Sequence, residues 1–151
     1  MRKMWRKLFG IAALALMLCL TGLVMSGEAQ AQRFTDNGNG TVTDTVTGLM
    51  WTKDASPFGI LNWHDAMARC SSFSISGIGG WRLPSKDELV AIYHAIQGEH
   101  PFTRVRSSSY WSSTSYAGPK GLAWFVYMSN GYVTYHNESL PNFVWPVRAG
   151  Q

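Results

Sequence analysis

The fold of this chain is decided by the stretch GWRLPSKDELVAIYHAI, residues 80–96. Ser85 is a preferred helix N-cap, and Glu88 follows it at the spacing of a capping box, so the stretch predicts a helix that begins after Ser85. Gly98 and Pro101 predict where this helix ends. Apolar residues recur inside it at helical spacing and predict one buried face. They are Leu89, Ile92, Tyr93 and Ile96.

An upstream helix is predicted to begin at Asn62, with Asp65 in the place of the capping glutamate. Its apolar face consists of Trp63, Ala66, Met67 and Cys70, at i, i+3, i+4 and i+7. Cys70 therefore points toward the core, away from the cationic, partly exposed surroundings that activate a thiolate. The other cysteine, Cys19, belongs to the N-terminal segment treated below, so no disulfide is predicted within residues 32–151.

Short β-type runs bounded by turn residues are predicted on either side of the helices. They are a hairpin over residues 33–44, strands over 49–51 and 109–114, and a last strand over 143–148, in which Pro146 marks an edge or a bulge.

The turn at residues 36–40 superficially resembles a calcium loop, which needs oxygen side chains at alternate positions. Counted from Asp36, those positions are Gly38 and Gly40, which have no side-chain oxygen. We interpret the segment as a plain turn and expect no metal there.

The clearest hairpin runs from Leu122 to His136 and turns at Asn130-Gly131, a preferred two-residue type I′ turn. This turn pairs Met128 with Val133, Val126 with Tyr135, Tyr127 with Thr134, and Phe125 with His136. The face that we assign to the core carries Trp124, Val126, Met128, Val133 and Tyr135. The opposite face is amphipathic and can remain open to solvent. It carries Phe125, Tyr127, Ser129, Tyr132, Thr134 and His136.

The positive charge is concentrated at the N-terminus. The 151 residues include 13 Lys and Arg against 9 Asp and Glu, a formal charge of +4. Four basic residues among the first seven precede an uncharged apolar run over residues 8–25 and an Ala-Gln-Ala site. This order predicts a secretory signal peptide over residues 1–31, cleaved after Ala31. An uncleaved membrane anchor is the alternative, because the run approaches the length of a bilayer span.

Without the signal peptide, residues 32–151 keep a formal charge of +1, because four basic residues and one acidic residue leave with it. A nucleic-acid binder needs a larger surplus of Lys and Arg. The remaining length suits one domain with one core. We therefore expect a single domain over residues 32–151 that is secreted or lies in the periplasm or outer envelope, with no nucleic-acid partner and no membrane contact after cleavage.

Several motifs occur in an order that resembles a known family. They are GTVTD at 40–44, TGLMW at 47–51, Trp63 and Ala66 ahead of Cys70, GWRLPS at 80–85 with Glu88-Leu89, YWSST at 110–114, and Val147-Arg148. Together they resemble the Lcl C-terminal domain family, named for the C-terminal domain of the Legionella collagen-like adhesin. The resemblance covers nearly all of residues 33–150. The Trp-Arg-Leu-Pro segment is also similar to a stretch of formylglycine-generating enzymes, which have a C-type-lectin-like fold.

The resemblance implies an α+β, C-type-lectin-like fold with two helices, twisted antiparallel sheets and long loops, consistent with the elements predicted above. It also implies a secreted or envelope-associated bacterial protein with an adhesin-like role, since the eponymous member binds sulfated glycosaminoglycans. This chain lacks that adhesin's collagen-like tract, so the resemblance does not imply that this chain forms a trimer. It also lacks the Glu-Pro-Asn and Trp-Asn-Asp motifs of C-type lectins, which disfavours calcium-dependent sugar binding.

We interpret the most diagnostic residues of the resemblance as structural. They are Trp81, Arg82, Leu83 and Pro84. We expect Trp81 to pack beneath the second helix and Pro84 to set the entry of that helix. We expect Arg82 to pair in the interior with a carboxylate or with backbone carbonyls.

Catalytic motifs are missing from the sequence. Formylglycine-generating chemistry uses two active-site cysteines, and residues 32–151 hold one. The histidines His64, His94, His100 and His136 show no metal-ligand spacing, and no nucleophile elbow is present. We expect no enzymatic activity, no cofactor and no metal, with a divergent enzyme as the least favoured alternative.

The polar face of the predicted hairpin is the candidate binding surface. Aromatic platforms beside hydrogen-bonding side chains suit sugars, and basic side chains suit sulfate or carboxylate groups. The candidate residues are Tyr127, Tyr132, Thr134 and His136, with Arg104, Arg106 and Lys120. The function we favour is a non-catalytic module for attachment to anionic or neutral surface glycans. The alternative is a structural or assembly subunit of the envelope that uses the same face against protein.

Overall fold

The computed structural model describes residues 33–151, of which Phe34–Gln151 form one compact unit. The predicted signal peptide, its cleavage site and the alternative membrane anchor lie outside the described residues. Within residues 33–151, no helix is both long and apolar enough to cross a bilayer.

Two sheets and two helices make up this unit. In chain order the elements are β1 (Phe34–Asp36), β2 (Thr41–Asp44), β3 (Leu49–Thr52), β4 (Ile60–Leu61), α1 (Trp63–Ser72), α2 (Lys86–Ala95), β5 (Ser109–Ser115), β6 (Leu122–Tyr127), β7 (Val133–Asn137), β8 (Asn142–Phe143) and β9 (Val147–Ala149). The first sheet has the order β1-β2-β3-β9 and is antiparallel. The second has the order β4-β8-β5-β6-β7, with β5 and β8 parallel and the other neighbours antiparallel. The predicted α+β class is confirmed, and the likeness to C-type lectins stays a prediction.

Both helices begin at the caps that the sequence predicts. The Ser85 hydroxyl accepts a hydrogen bond from the Glu88 backbone N–H at 3.1 Å, and the Glu88 carboxylate accepts one from the Ser85 N–H at 3.0 Å. At α1 the Asn62 side chain accepts a bond from the backbone N–H of Asp65 at 2.9 Å. An N-cap of this kind stabilises a helix by about 1 kcal/mol.

The buried face of α2 agrees with the prediction, and that of α1 agrees in part. Leu89 and Ile92 are fully buried in α2, as are Ala66 and Cys70 in α1. Met67 is 38% exposed, so its assignment to the core is wrong. Met67 is rotated by about 100° from Ala66 around the helix axis, which places it beyond the narrow stripe that meets the sheet.

The GWRLPS segment connects the two sheets through its backbone. Arg82 exchanges two backbone hydrogen bonds with Val147 of β9, at 2.9 and 3.0 Å. Two residues later, the Pro84 carbonyl accepts a bond from the Ser113 N–H of β5 at 2.8 Å. The most diagnostic motif of the sequence therefore joins the edge of the first sheet to the middle of the second.

The Trp81 side chain is buried as expected, whereas the Arg82 side chain is not. Trp81 is buried, but its ring contacts Phe73 in the preceding loop, and its indole N–H donates to the Ile78 carbonyl. The Arg82 side chain is 46% exposed, so the prediction of an interior position is wrong. A carboxylate or backbone carbonyls were expected as its partners, and the structure shows the Glu88 carboxylate, to which it donates two bonds of 2.8 and 2.9 Å. The backbone of Arg82 is held at a sheet edge, and its side chain therefore reaches along the surface.

Apolar side chains fill both sides of the second sheet. The larger core lies between the first sheet, α2 and the second sheet, and includes Trp51, Leu89, Ile92, Tyr110, Val126 and Trp145. The smaller core lies between α1 and the second sheet, and includes Ala66, Cys70, Leu83, Trp111, Ala123, Phe125 and Val144. Phe125, which we expected on the open face, is only 4% exposed because the α1 side of the sheet covers it.

The register between β6 and β7 is shifted by two residues from the predicted one. Trp124 pairs with Tyr135, Phe125 with Thr134, and Val126 with Val133. A shift of two leaves every side chain on its predicted face, because side chains alternate with a period of two.

The turn between these strands explains the shift. Tyr127 pairs with Tyr132 through a backbone bond of 2.9 Å, so residues 128–131 form a longer loop. A type I′ turn requires positive φ at both Asn130 and Gly131, and only Gly131 has it, at +74°. Asn130 instead accepts the Tyr132 N–H through its side chain, which stabilises the longer loop.

The predicted last strand is two strands in different sheets. β8 belongs to the second sheet and β9 to the first, with residues 144–146 between them. Pro146 has no N–H to donate to a ladder, so the strand breaks there. Its carbonyl accepts a bond from Thr52 at 3.2 Å, while the Trp145 indole donates to the Thr52 carbonyl at 3.0 Å.

Candidate functional site

Two of the predicted site residues form an exposed aromatic pair at the tip of the β6–β7 hairpin. Tyr127 is 37% exposed and Tyr132 is 59% exposed. Their rings lie nearly parallel, with centroids 6.4 Å apart and an interplanar angle of 25°. The edge of the Tyr127 ring also meets Phe125, at 5.2 Å, which fixes the pair on the buried part of the sheet. We call Tyr127 and Tyr132 the tip pair.

Thr134 and His136 lie on the same face of β7 as Tyr132, farther from the tip. Both are half-buried. The His136 ring packs 5.4 Å from Phe125 and 6.2 Å from Trp111, and its Nδ1 is buried without a hydrogen-bond partner among the described residues. His136 therefore contributes to packing beside the smaller core, and Thr134 is the polar group nearer the tip pair in sequence.

The three basic candidates do not form one cluster. Arg104 and Arg106 precede β5, whose first residue, Ser109, pairs with Tyr127. Lys120 lies in the turn between β5 and β6, at the other end of these strands. The structure thus places the two arginines at the tip-pair end of the sheet and Lys120 beyond the opposite end of β6, a strand that spans about 17 Å at the usual rise per residue.

The two arginines differ in how far their charge is already compensated. Arg104 donates to the Asp54 carboxylate at 2.8 Å. Arg106 has no carboxylate within salt-bridge distance among the described residues, and its guanidinium lies 6.0 Å from the Phe143 ring. Its backbone N–H donates to the hydroxyl of Tyr110 at 2.9 Å, and burial raises the pKa of Tyr110 to about 12. The Arg106 Nε donates to the Ser56 hydroxyl at 3.4 Å, and its charge is not paired with a carboxylate of the described residues, so Arg106 is the arginine that is available to an anionic group.

A second aromatic surface, which the sequence did not predict, lies on the opposite face of the hairpin. Tyr116 stacks on Tyr135 with centroids 4.0 Å apart, and Trp124 meets Tyr135 edge-on at 5.6 Å. The Lys86 ammonium lies 4.7 Å from the centre of the Trp124 ring. We call these four residues the Tyr116 cluster.

The Tyr116 cluster corrects the predicted core face. Tyr135 was expected to be buried and is 43% exposed. The larger core covers Val126 and Met128 near the hairpin tip, but it does not include Trp124 or Tyr135. The alternation of residues indicated the correct face, but it carries no information about how far along that face the covering elements extend. Tyr116 lies just past β5, outside any predicted strand.

A shallow polar cleft of about 440 Å³ lies where α1 meets the end of β7. Its lining includes His64 and Glu138, whose side chains are 2.9 Å apart, and Asn62, which is bonded to Asp65. The polar groups of this cleft are largely bonded to one another. Among residues 33–151, no group of three or more His, Cys, Asp or Glu side chains is placed to hold a metal ion.

The surroundings of Cys70 do not activate its thiol. It is fully buried in the smaller core, and this burial raises the pKa of its thiol to about 12. Only a very small fraction of Cys70 is therefore deprotonated at neutral pH.

The family model of the Lcl C-terminal domain matches residues 40–148, most of the chain. The chain belongs to this family. A search of curated proteins found no match to it. The Lcl C-terminal domain match begins in the first hairpin and ends at β9, so it spans both sheets, both helices and the tip pair. Within this Lcl C-terminal domain, the GWRLPS residues hold the sheets together, and the tip pair and the Tyr116 cluster are exposed on either face of one hairpin.

Proposed function

We propose that this Lcl C-terminal domain is an exported, non-catalytic binding module that attaches to surface glycans in the manner of an adhesin. The observation that carries the proposal is the tip pair, two exposed and nearly parallel tyrosine rings on a hairpin anchored in the smaller core. Membership of the Lcl C-terminal domain family is consistent with an adhesin-like module.

Tyrosine rings suit sugars for two physical reasons. A pyranose ring presents an apolar C–H face that packs on an aromatic ring, and the phenolic hydroxyl bonds to the sugar hydroxyls. A tyrosine also has few rotatable bonds, so little conformational entropy is lost when it contacts a ligand. The edge contact of Tyr127 with buried Phe125 limits that freedom further.

Arg106 offers a separate contact for acidic sugars. Its guanidinium has no carboxylate partner among the described residues, and it lies at the same end of the sheet as Tyr127 but beside Phe143, on the larger-core face. Charge-assisted bonds from arginine to sulfate or carboxylate are roughly twice as strong as neutral bonds. Acidic groups of a glycan are therefore assigned to Arg106, separately from the tip pair, whereas Arg104 is engaged by Asp54.

The absence of catalysis is part of the proposal. Acyl or group transfer needs an activated nucleophile, and Cys70 is buried with a raised pKa. The His64–Glu138 pair lies in an open cleft, with both side chains engaged by each other. A purified sample that turns over a defined substrate, and loses this activity on replacement of one polar residue, would contradict this part.

Export is proposed from the N-terminal pattern of basic, apolar and small residues in residues 1–31. The measurement is the intact mass of the protein recovered from the periplasm or medium of a bacterial host. A mass that begins at Gln32 supports cleavage after Ala31. A mass that retains residues 1–31, in protein found with the membrane, supports the anchor instead.

A glycan array tests the binding class. Wild-type protein, the Tyr132→Ala variant and the Tyr135→Ala variant are applied to the same array, which includes neutral and acidic oligosaccharides. We expect wild type and Tyr135→Ala to bind a common set of glycans and Tyr132→Ala to lose them. Tyr135 is a matched control, because it is a partly exposed tyrosine of the same hairpin on the opposite face. Absence of any glycan signal for wild type would favour the alternative of a protein-binding envelope subunit.

A further inference from the structure

The two sheets expose four edges, and one of them differs from the rest. β1 carries Asp36, which is paired with Lys53 at 2.7 Å. The outer side of β9 is partly covered by the backbone of Arg82, and β4 has only two residues. β7 is the fourth edge, and it has five residues, Val133 to Asn137, with no charged residue and no proline.

Natural sheets protect their edges with charges, prolines, bulges, short strands or covering segments. The first three edges of this protein each use at least one of these devices. β7 uses none of them, and it pairs in continuous register with β6 without a bulge. An unprotected edge of this length offers its backbone to another strand.

The backbone groups that β7 offers follow from its pairing with β6. Tyr132 and Glu138 direct backbone groups toward β6: the Tyr132 C=O accepts from the Tyr127 N–H, and the Glu138 N–H donates to the Gly121 C=O, at 2.9 Å each. Inward and outward groups alternate along an antiparallel strand. The N–H and C=O groups of Val133 and Tyr135 and the N–H of Asn137 therefore point away from the sheet.

We propose that β7 pairs with β7 of a second copy of this chain, antiparallel and centred on Tyr135. In this register Tyr135 is opposite Tyr135 of the second copy, and Val133 is opposite Asn137. Residues that exchange bonds are directly opposite each other, so the N–H and C=O groups of the two Tyr135 residues bond to each other, and each Asn137 N–H donates to the Val133 C=O of the other copy. The two five-stranded sheets join into one continuous sheet.

A second copy fits this edge better than an unrelated strand for reasons of charge and length. β7 has no charged side chain, so self-pairing places no like charges opposite each other. Both strands have the same length and offer outward groups at the same three positions. Tyr135, which each copy holds by stacking on its own Tyr116, meets its counterpart on the two-fold axis.

The paired sheet has a consequence for ligand contact. Residues directly opposite in an antiparallel pair point to the same face of the sheet. The tip pairs of both copies therefore lie on one side of the joined sheet, which permits two contacts with one glycan-bearing surface. The self-pairing itself does not depend on glycan binding.

Sedimentation equilibrium of the purified compact unit tests this inference. We expect wild type to associate to twice its monomer mass. Tyr135→Lys places two ammonium groups opposite each other on the axis and is expected to weaken association at least ~10-fold. Tyr132→Lys makes the same charge change opposite Glu138 of the second copy, where no like charges meet, and is expected to associate at least as strongly as wild type. Circular dichroism and thermal melting verify that both variants are folded.

Disulfide trapping tests the register. Residues in a hydrogen-bonded antiparallel pair have Cα atoms about 5.5 Å apart, which a disulfide can span. Cys70 is buried, so within residues 33–151 a Tyr135→Cys variant offers one accessible thiol. We expect mild oxidation to convert it to a covalent dimer at low protein concentration, and Tyr132→Cys to stay monomeric.

Three results would overturn the inference. One is a wild-type protein that remains monomeric at the highest soluble concentration. Another is a dimer that is equally stable in Tyr135→Lys. The third is equal cross-linking of the two cysteine variants. The Tyr132→Ala variant is expected to lose glycan binding and to associate as wild type does. A failure of the glycan proposal can therefore be told from a failure of the self-pairing proposal.

Discussion

Replacement of Arg82 by alanine tests whether the diagnostic motif is structural. The variant loses two bonds to Glu88, at 2.8 and 2.9 Å, and one to the Leu83 carbonyl at 3.2 Å. The ion pair is partly exposed, with 46% of the Arg82 side chain and 23% of the Glu88 side chain accessible. Solvent screening limits such a pair to about 1 kcal/mol. The Ser85 cap remains, because Glu88 still accepts the Ser85 N–H.

For a compact unit of this size, a loss of about 1 kcal/mol lowers the melting temperature by roughly 4 °C. The measurement is urea and thermal unfolding of wild type and Arg82→Ala near neutral pH, with glycan binding measured on the same samples. We expect binding to be unchanged, because the Arg82 side chain is bonded to Glu88 and Leu83 and the tip pair belongs to the β6–β7 hairpin.

The pH dependence gives a second readout of the same pair. Burial by itself raises the pKa of Glu88, but the bond from Arg82, the bond from the Ser85 N–H and the charge of Arg82 together hold this pKa below its ordinary value. A depressed carboxyl pKa stabilises the fold above the unfolded value, about 4.3, and this stability is lost as the pH falls through the folded value. The difference between wild type and Arg82→Ala should therefore shrink below about pH 4.

Two results would refute this reasoning. One is an Arg82→Ala variant with native stability and no glycan binding, which would make Arg82 part of the binding surface. The other is a loss above about 3 kcal/mol, a size typical of a broken buried ion pair. Arg104→Ala serves as a control, since it removes another partly exposed ion pair, with Asp54, outside the helix cap.

Three further predictions concern individual residues. Arg106→Ala should elute from heparin at lower salt than Arg104→Ala, whose charge is already paired; equal elution of both with wild type contradicts anionic binding. Cys70 should resist thiol reagents near pH 8 until the protein is unfolded, since its pKa is raised to about 12; rapid labelling of the native protein contradicts its burial. Gly131→Ala should cost about 1–3 kcal/mol in urea unfolding, because φ is +74° and the Tyr93 ring occupies the space of a Cβ; an unchanged midpoint contradicts the loop geometry.

Local signals predict the helices of this fold well. The caps at Asn62 and Ser85 and the apolar spacing behind them depend on residues within one or two turns. The same holds for the first hairpin, whose strands β1 and β2 lie within the predicted residues 33–44.

Features that depend on distant segments were not predictable in the same way. The break at Pro146 was anticipated as an edge or bulge, but only the assembled structure sends β8 and β9 to different sheets. The register of β6 and β7 depends on a loop of residues 128–131, where Asn130 bonds to Tyr132 and avoids the positive φ of a type I′ turn. Strand pairing is set by contacts and loop geometry that the alternating pattern does not specify.

The candidate site was predictable in part. The alternation of the hairpin placed the tip pair on its correct face, and Tyr132 is the most exposed of its aromatic residues. The Tyr116 cluster was missed, because the exposure of Tyr135 depends on where the larger core ends. The partners of Arg104 and Arg106 were missed for a similar reason: Asp54 is distant in sequence and meets Arg104 only in the folded chain.

Calorimetric titration of a soluble oligosaccharide, chosen from the glycan array, tests the central claim most directly. A soluble oligosaccharide binds each site independently in such a titration, so self-association of the protein does not raise the measured affinity. If the tip pair is the glycan site, Tyr132→Ala lowers the affinity at least ~10-fold, whereas Tyr135→Ala binds within about twofold of wild type. Equal affinity of wild type and Tyr132→Ala, with both proteins folded, would contradict the assignment of glycan binding to this surface.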